Sequence, residues 1–216
     1  MDTLNEGKGR CLATSRLLIR PVRAVIELGA AGDVLSAAIR AVHHANRHGS
    51  VEDFIAIAFP TMKMGRETML SGDDIELIGS DASLGRFLEL EGIITLKRRG
   101  MLEETFPDQV YADEGMIGAA YVRDRAVEKH TPGWIRRTEA RAARRGKPLG
   151  KAVKQRENDL KSLILTHGTT VLHIREVLGP FTDRPLHVST YGFSASGDPA
   201  ILPVFPESAR TVDNAD

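Results

Sequence analysis

Cysteine is almost missing from the chain, with Cys11 alone among 216 residues. A single thiol excludes an internal disulfide framework and zinc modules built on paired cysteines, and it suits a reducing compartment. Aromatic residues are scarce as well, at 5%. No apolar run nears the ~18 residues that span a bilayer, and the N-terminus carries no secretory segment, so the expected location is the cytoplasm with no membrane partner. Net charge is missing too, because 29 basic and 29 acidic residues cancel. That excludes a uniformly basic coat and makes any footprint for a polyanion local. Serine-hydrolase elbows, Walker loops and dinucleotide-binding glycine fingerprints are absent in any strand-to-helix context.

The charge that is present is unevenly placed. Residues 62–115 carry six Lys/Arg against twelve Asp/Glu, whereas residues 121–161 carry thirteen against five. A basic block between acidic neighbours is the pattern of a protein that offers one face to a polyanion.

Periodicity predicts an α+β chain. Residues 1–15 read as a loose tail and 207–216 as another. Within 16–104, Leu17 to Val22 reads as a strand, and a helix capped by Asp33 carries Leu35, Ala38, Ile39 and Val42 before Gly49 ends it. Phe54 to Phe59 and Asp74 to Ile78 read as strands, a helix capped by Asp81 or Ser83 follows, and Ile93 to Leu96 reads as a last strand. That order predicts a ferredoxin-like (RRM-like) domain. Residues 105–206 predict a smaller α+β domain. It carries an arginine-rich helix between Pro132 and Gly146, a hairpin around 167–169 and a further strand at 186–194.

The helix WIRRTEARAARRG holds five arginines and no lysine in ten residues. At about 100° per residue, Arg137, Arg141, Arg144 and Arg145 fall near one face with Arg136 at its margin. A solvated helix face usually mixes in Lys and more Glu, whereas guanidinium forks grip phosphates in pairs. Arg123 and Arg125 precede the helix at strand-like spacing and point the same way. Such a pair reads guanine edges or binds simple anions. Among seven histidines, His44 and His48 form an i,i+4 pair, but no cysteine or HExxH glutamate accompanies them, so no metal and no cofactor is expected. Metal-free histidine acid–base chemistry is the least strained proposal for an enzyme.

Three segments together resemble the CRISPR repeat-RNA endoribonucleases of the subtype I-F branch: VHHAN before FIAIAFP, then the arginine helix, then YGFSASGDPAILPVF. The resemblance covers residues 16–205, and Tyr191, Gly192 and Ser194 are its most specific part. It implies a metal-independent endoribonuclease that binds the repeat hairpin beside the arginine helix and cuts precursor CRISPR RNA at the 3′ base of the hairpin. The RNA 2′-hydroxyl is the nucleophile, a 2′,3′-cyclic phosphate is left, and the enzyme stays with its product among other subunits of an effector ribonucleoprotein. By the same resemblance the catalytic histidine falls on His43, or on His44 without a one-residue insertion in the following loop. The active-site tyrosine falls on Tyr191, and the hydroxyl beside the scissile ribose falls on Thr166 or Ser162. The base-reading pair falls on Arg123 and Arg125. FIAIAFP replaces the usual glycine-containing strand and the linker 98–120 departs in detail, so a divergent subtype I-F, transposon-associated or type IV system fits equally. The competing readings are a catalytically silent hairpin-binding subunit and a DNA-binding regulator that uses the arginine helix.

Overall fold

In a computed structural model, residues 4–5, 7–66, 68–113, 115–124, 132–146, 162–167, 170–182 and 184–204 are described. Arg125 and the linkers on both sides of the arginine helix lie outside the described residues, as does the C-terminal stretch expected to be a tail.

The chain is α+β. Its first surprise is β1 (Lys8–Cys11), inside the stretch expected to be a loose tail; it pairs antiparallel with β11 (Leu186–Ser189) near the other end of the chain. β2 (Ser15–Ile19) is followed by a short helix, α1 (Arg23–Glu27), and by α2 (Ala31–His48). Val34, Leu35, Ala38, Ile39 and Val42 bury one face of α2 at helical spacing. Asp33 does not cap this helix. It lies inside the first turn after Ala30, where a carboxylate still complements the helix dipole, and Gly49 ends the helix as expected.

β3 (Ala56–Ala58), the two short strands β4 (Lys63–Met64) and β5 (Met69–Leu70), and β6 (Ile75–Gly79) come next. α3 (Asp81–Leu88) is capped by Ser80 rather than by Asp81 or Ser83, because Ser80 and Ser83 exchange side-chain and backbone hydrogen bonds in a capping box.

Ile93 to Leu96, expected as a strand, belongs to a helix, α4 (Glu91–Arg98). Four β-prone residues are too short a run to outvote their flanks. Glu91 starts the helix, Lys97 and Arg98 suit its negative end, and Gly100 at φ +63° lets the Met101 N–H return to the Leu96 carbonyl at 3.0 Å. The strand that completes the first sheet is instead β7 (Asp108–Gln109), which pairs with β2. The sheet is antiparallel throughout, in the order β3-β6-β2-β7.

The second sheet, β12-β8-β10-β9-β5-β4, is built mostly from the C-terminal half. β8 (Ile117–Arg123) and β10 (Thr170–Pro180) form its long central pair, and β9 (Leu163–His167) makes the expected hairpin with β10. α5 (Pro132–Arg144) is inserted between β8 and β9, so the arginine segment leaves the sheet beside Ile174 and returns on that residue's other side. The strand expected at 186–194 is two pieces: β11 turns at residues 190–193, and β12 (Ser194–Ala195) then runs parallel to β8.

One core crosses the expected boundary near residue 104, since α2 packs on α3 and α4 and also on β9. Cys11 is buried in that core, donates to the Ile78 carbonyl at 3.4 Å, and has its thiol pushed up to about 12 by burial. It is a packing residue that stays protonated and unreactive at neutral pH. Among the described residues no helix is long and apolar enough to cross a membrane.

Candidate active site

The turn between β11 and β12 places Tyr191 against the last third of α2. The Gly192 N–H donates to the Ser189 carbonyl at 2.8 Å, and the Ile57 N–H donates to the Gly192 carbonyl at 3.0 Å, so the turn is tied to β3. Gly192 has φ +78°, and a Cβ there would meet Ile57 Cγ1 at 2.8 Å and the Ile55 carbonyl at 3.0 Å. Both the backbone conformation and the close approach call for glycine.

With the turn so fixed, the rings of His43 and Tyr191 stack, with centroids 4.0 Å apart and planes 10° from parallel. The two residues are half-buried, and His43 Nδ1 is shielded from solvent. His44, the alternative base, points elsewhere: it is exposed, and its ring lies 4.2 Å from that of His48 on the outer side of the helix. Among the described residues no group of three or more His, Cys, Asp and Glu side chains gathers as a cation site.

What holds the stack in place is Asn46, one turn along from His43 and 1% exposed. Its amide donates to the carbonyls of Ile55 (2.9 Å) and Thr190 (3.3 Å) and accepts from the Ile55 N–H (2.8 Å). One side chain thus binds α2, β3 and the tyrosine turn together. Sequence reasoning missed it, because its partners are backbone groups that leave no pattern in the side chains. Asn46→Ala strands the Ile55 N–H and two carbonyls, at a cost of about 3 kcal/mol from buried groups losing their partners. We expect urea denaturation to show that loss.

Thr166 lies in β9 and Ser162 directly before it. The β9–β10 register places Thr166 with Ile164, Val171 and His173 on one face of the hairpin, while Leu163, Leu172 and Ile174 go to the core on the other. Thr166 is exposed and lines a cavity of about 370 Å³ with Gly32, Asp33 and Ser36 of the first half of α2. Ser162 Oγ lies 3.1 Å from His173 Nδ1 instead.

Arg123, the last residue of β8, lines a cavity that includes Ser189, Phe193 and Ser194 from both sides of the tyrosine turn. Arg136, Arg137, Arg141, Arg144 and Arg145 are all exposed, and α5 buries no residue. Its less exposed side chains, Trp134, Ile135, Thr138 and Ala142, share one face. A larger cavity of about 490 Å³, on the outer face of the first sheet, is rich in charge that is already paired: Arg20 binds Asp74 at 2.8 Å and Arg16 binds Asp108 at 3.1 Å. Burial raises the Glu76 carboxyl there above its usual range, with Arg16 opposing the shift.

Comparison with protein-family models finds no match for the chain, and comparison with curated proteins finds none either.

Proposed function

We propose that the protein is a metal-independent endoribonuclease of CRISPR RNA processing, and the observation that carries this reading is the His43–Tyr191 stack. In this reading the unit β2–α2–β3–β6–α3–β7 is ferredoxin-like. The antiparallel order β7-β2-β6-β3 supports it, since these are the fourth, first, third and second strands of such a unit.

The chemistry follows from the pair. Neutral imidazole titrates near physiological pH and accepts the proton of the 2′-hydroxyl through Nε2, the nitrogen other than the shielded Nδ1. The 2′-oxygen then attacks phosphorus and the bond from phosphorus to the 5′-oxygen breaks. The leaving oxygen takes up a proton, which gives a 2′,3′-cyclic phosphate and a 5′-hydroxyl. The imidazolium formed in the step faces the π-cloud of Tyr191, which attracts a cation and holds the ring in one orientation. In this reading Thr166 or Ser162 supplies a hydroxyl beside the ribose.

The exposed arginines of α5 hold the hairpin phosphates, and Arg123 with Arg125 reads a base pair near the cut. The RNA partner is the repeat hairpin, and the wider setting is a cytoplasmic CRISPR ribonucleoprotein with further subunits. A silent hairpin-binding subunit would share the arginine helix but has no use for a histidine held under a tyrosine. Incubating the protein with repeat RNA in excess EDTA separates the two. The enzyme reading predicts a cut at the 3′ base of the hairpin with a cyclic phosphate end, whereas uncut RNA that stays bound supports the silent subunit.

A further inference from the structure

The β1–β11 ribbon carries a basic face outside the site described above. Its register pairs Lys8 with Ser189 and Arg10 with His187. Side chains alternate across a strand, so these four leave on one face while Cys11, Leu186 and Val188 are buried on the other. Lys8, Arg10 and His187 are exposed, and neither strand contains an acidic residue.

This face runs into the cavity of Arg123. The cavity measures about 340 Å³, and Lys8, Arg123, Ser189, Phe193, Ser194 and Ser196 form most of its wall, with no acid among the described residues that line it. That is room for a nucleotide rather than a bare ion. Within that wall, Ser189 Oγ is shielded from solvent and has no hydrogen-bond partner among the described residues. A small shift on binding a ligand oxygen would give it one and recover the free energy of an unsatisfied buried hydroxyl. The cavity and the candidate site share the β11–β12 turn: Ser189 opens it and accepts from the Gly192 N–H at 2.8 Å, and Phe193 and Ser194 follow Tyr191 out of it.

We propose that the β1–β11 face is a track for the sugar-phosphate backbone of single-stranded RNA, and that the cavity takes one nucleotide on the 3′ side of the scissile phosphate. This rests on the RNA reading of the site. It gives the N-terminal strand a role in holding substrate, with Lys8 and Arg10 neutralising successive phosphates.

The test uses the repeat hairpin made uncleavable by a single 2′-deoxy just upstream of the scissile phosphate, and compares the labelled form that ends in six 3′ uridines with the same hairpin lacking them, by anisotropy over several salt concentrations, alongside titration with uridine 3′-monophosphate. In the wild type the tail should tighten binding about tenfold or more. Lys8→Ala with Arg10→Ala should abolish that gain and lower the salt slope on the tailed hairpin by ~0.7 for each phosphate no longer neutralised, the figure for single strands. Lys8→Ala and Ser189→Ala should each weaken uridine 3′-monophosphate at least fivefold. The replaced lysine and arginine are exposed, and Ser189→Ala removes an unpartnered group, so the variants should fold. If the wild type binds both hairpins equally and the variants match it, the track is wrong and the RNA reading stands. If the wild type binds neither hairpin, the RNA reading fails, and Lys8-independent binding of uridine 3′-monophosphate, or none, overturns the cavity as well.

Discussion

His43→Ala is expected to lower single-turnover cleavage by roughly 10²-fold to 10⁴-fold while hairpin affinity stays nearly unchanged, the usual scale for losing a general base. The split follows from geometry. His43 is half-buried and stacked on Tyr191, so it adds little exposed charge for gripping phosphates, and in the proposed reaction its part is to take the ribose proton. His44→Ala should change the rate little, because His44 is exposed and meets His48 instead. Tyr191→Phe keeps the stack and should retain much of the rate, whereas Tyr191→Ala removes the ring and should approach the loss seen for His43→Ala. Loss of cutting with His44→Ala alone would move the base to the neighbouring residue. Full activity in both histidine variants would end the histidine mechanism.

Neutralising Arg137, Arg141 and Arg144 together should give the largest change in binding. Each neutralised phosphate releases condensed counterions, so the dependence of log K on log salt should flatten by ~0.9 for each duplex phosphate that loses its arginine, and affinity at moderate salt should fall by orders of magnitude for every hairpin of similar shape. The three side chains are exposed on a helix that buries nothing, so the variant should keep its fold. Arg123 and Arg125 should behave differently. A bidentate base contact contributes ~1 to 3 kcal/mol of discrimination, so removing either should relax preference at one base pair and alter the salt slope little. Binding titrations with the repeat hairpin and with one whose lowest pairs are swapped distinguish these outcomes. An unchanged slope in the triple variant would make α5 a solvated helix and nothing more.

Much of the fold was legible where one local signal dominates. The apolar stripe of α2, the β9–β10 hairpin and the Pro132-to-Gly146 limits of the arginine helix all follow from periodicity and end signals. What escaped depends on partners distant in sequence. KGRC carries one apolar residue, and it becomes β1 only because Leu186 to Ser189 lies alongside. IITL reads as a strand until its flanks are weighed, and the turn that splits 186–194 is set by the contact of Gly192 with Ile55 and Ile57.

The site shows the same division. Neither His43 nor Tyr191 stands out by pattern; the resemblance singled them out, and α2 with the β11–β12 turn brings their rings together. Asn46 was invisible because it joins backbone groups up to 144 residues away. The resemblance put the ribose hydroxyl on Thr166 or Ser162, and strand register places Thr166 on the hairpin face opposite Leu163, Leu172 and Ile174.

In the proposed reaction the RNA supplies its own nucleophile to a histidine base. The most direct test replaces the single 2′-hydroxyl just upstream of the scissile phosphate with hydrogen and follows single-turnover cleavage in excess EDTA. The all-ribose hairpin should be cut to a 2′,3′-cyclic phosphate, and the singly deoxy hairpin should bind as tightly but stay intact. Cleavage of the deoxy hairpin, or cutting of the ribose hairpin only after a divalent cation is restored, would contradict it.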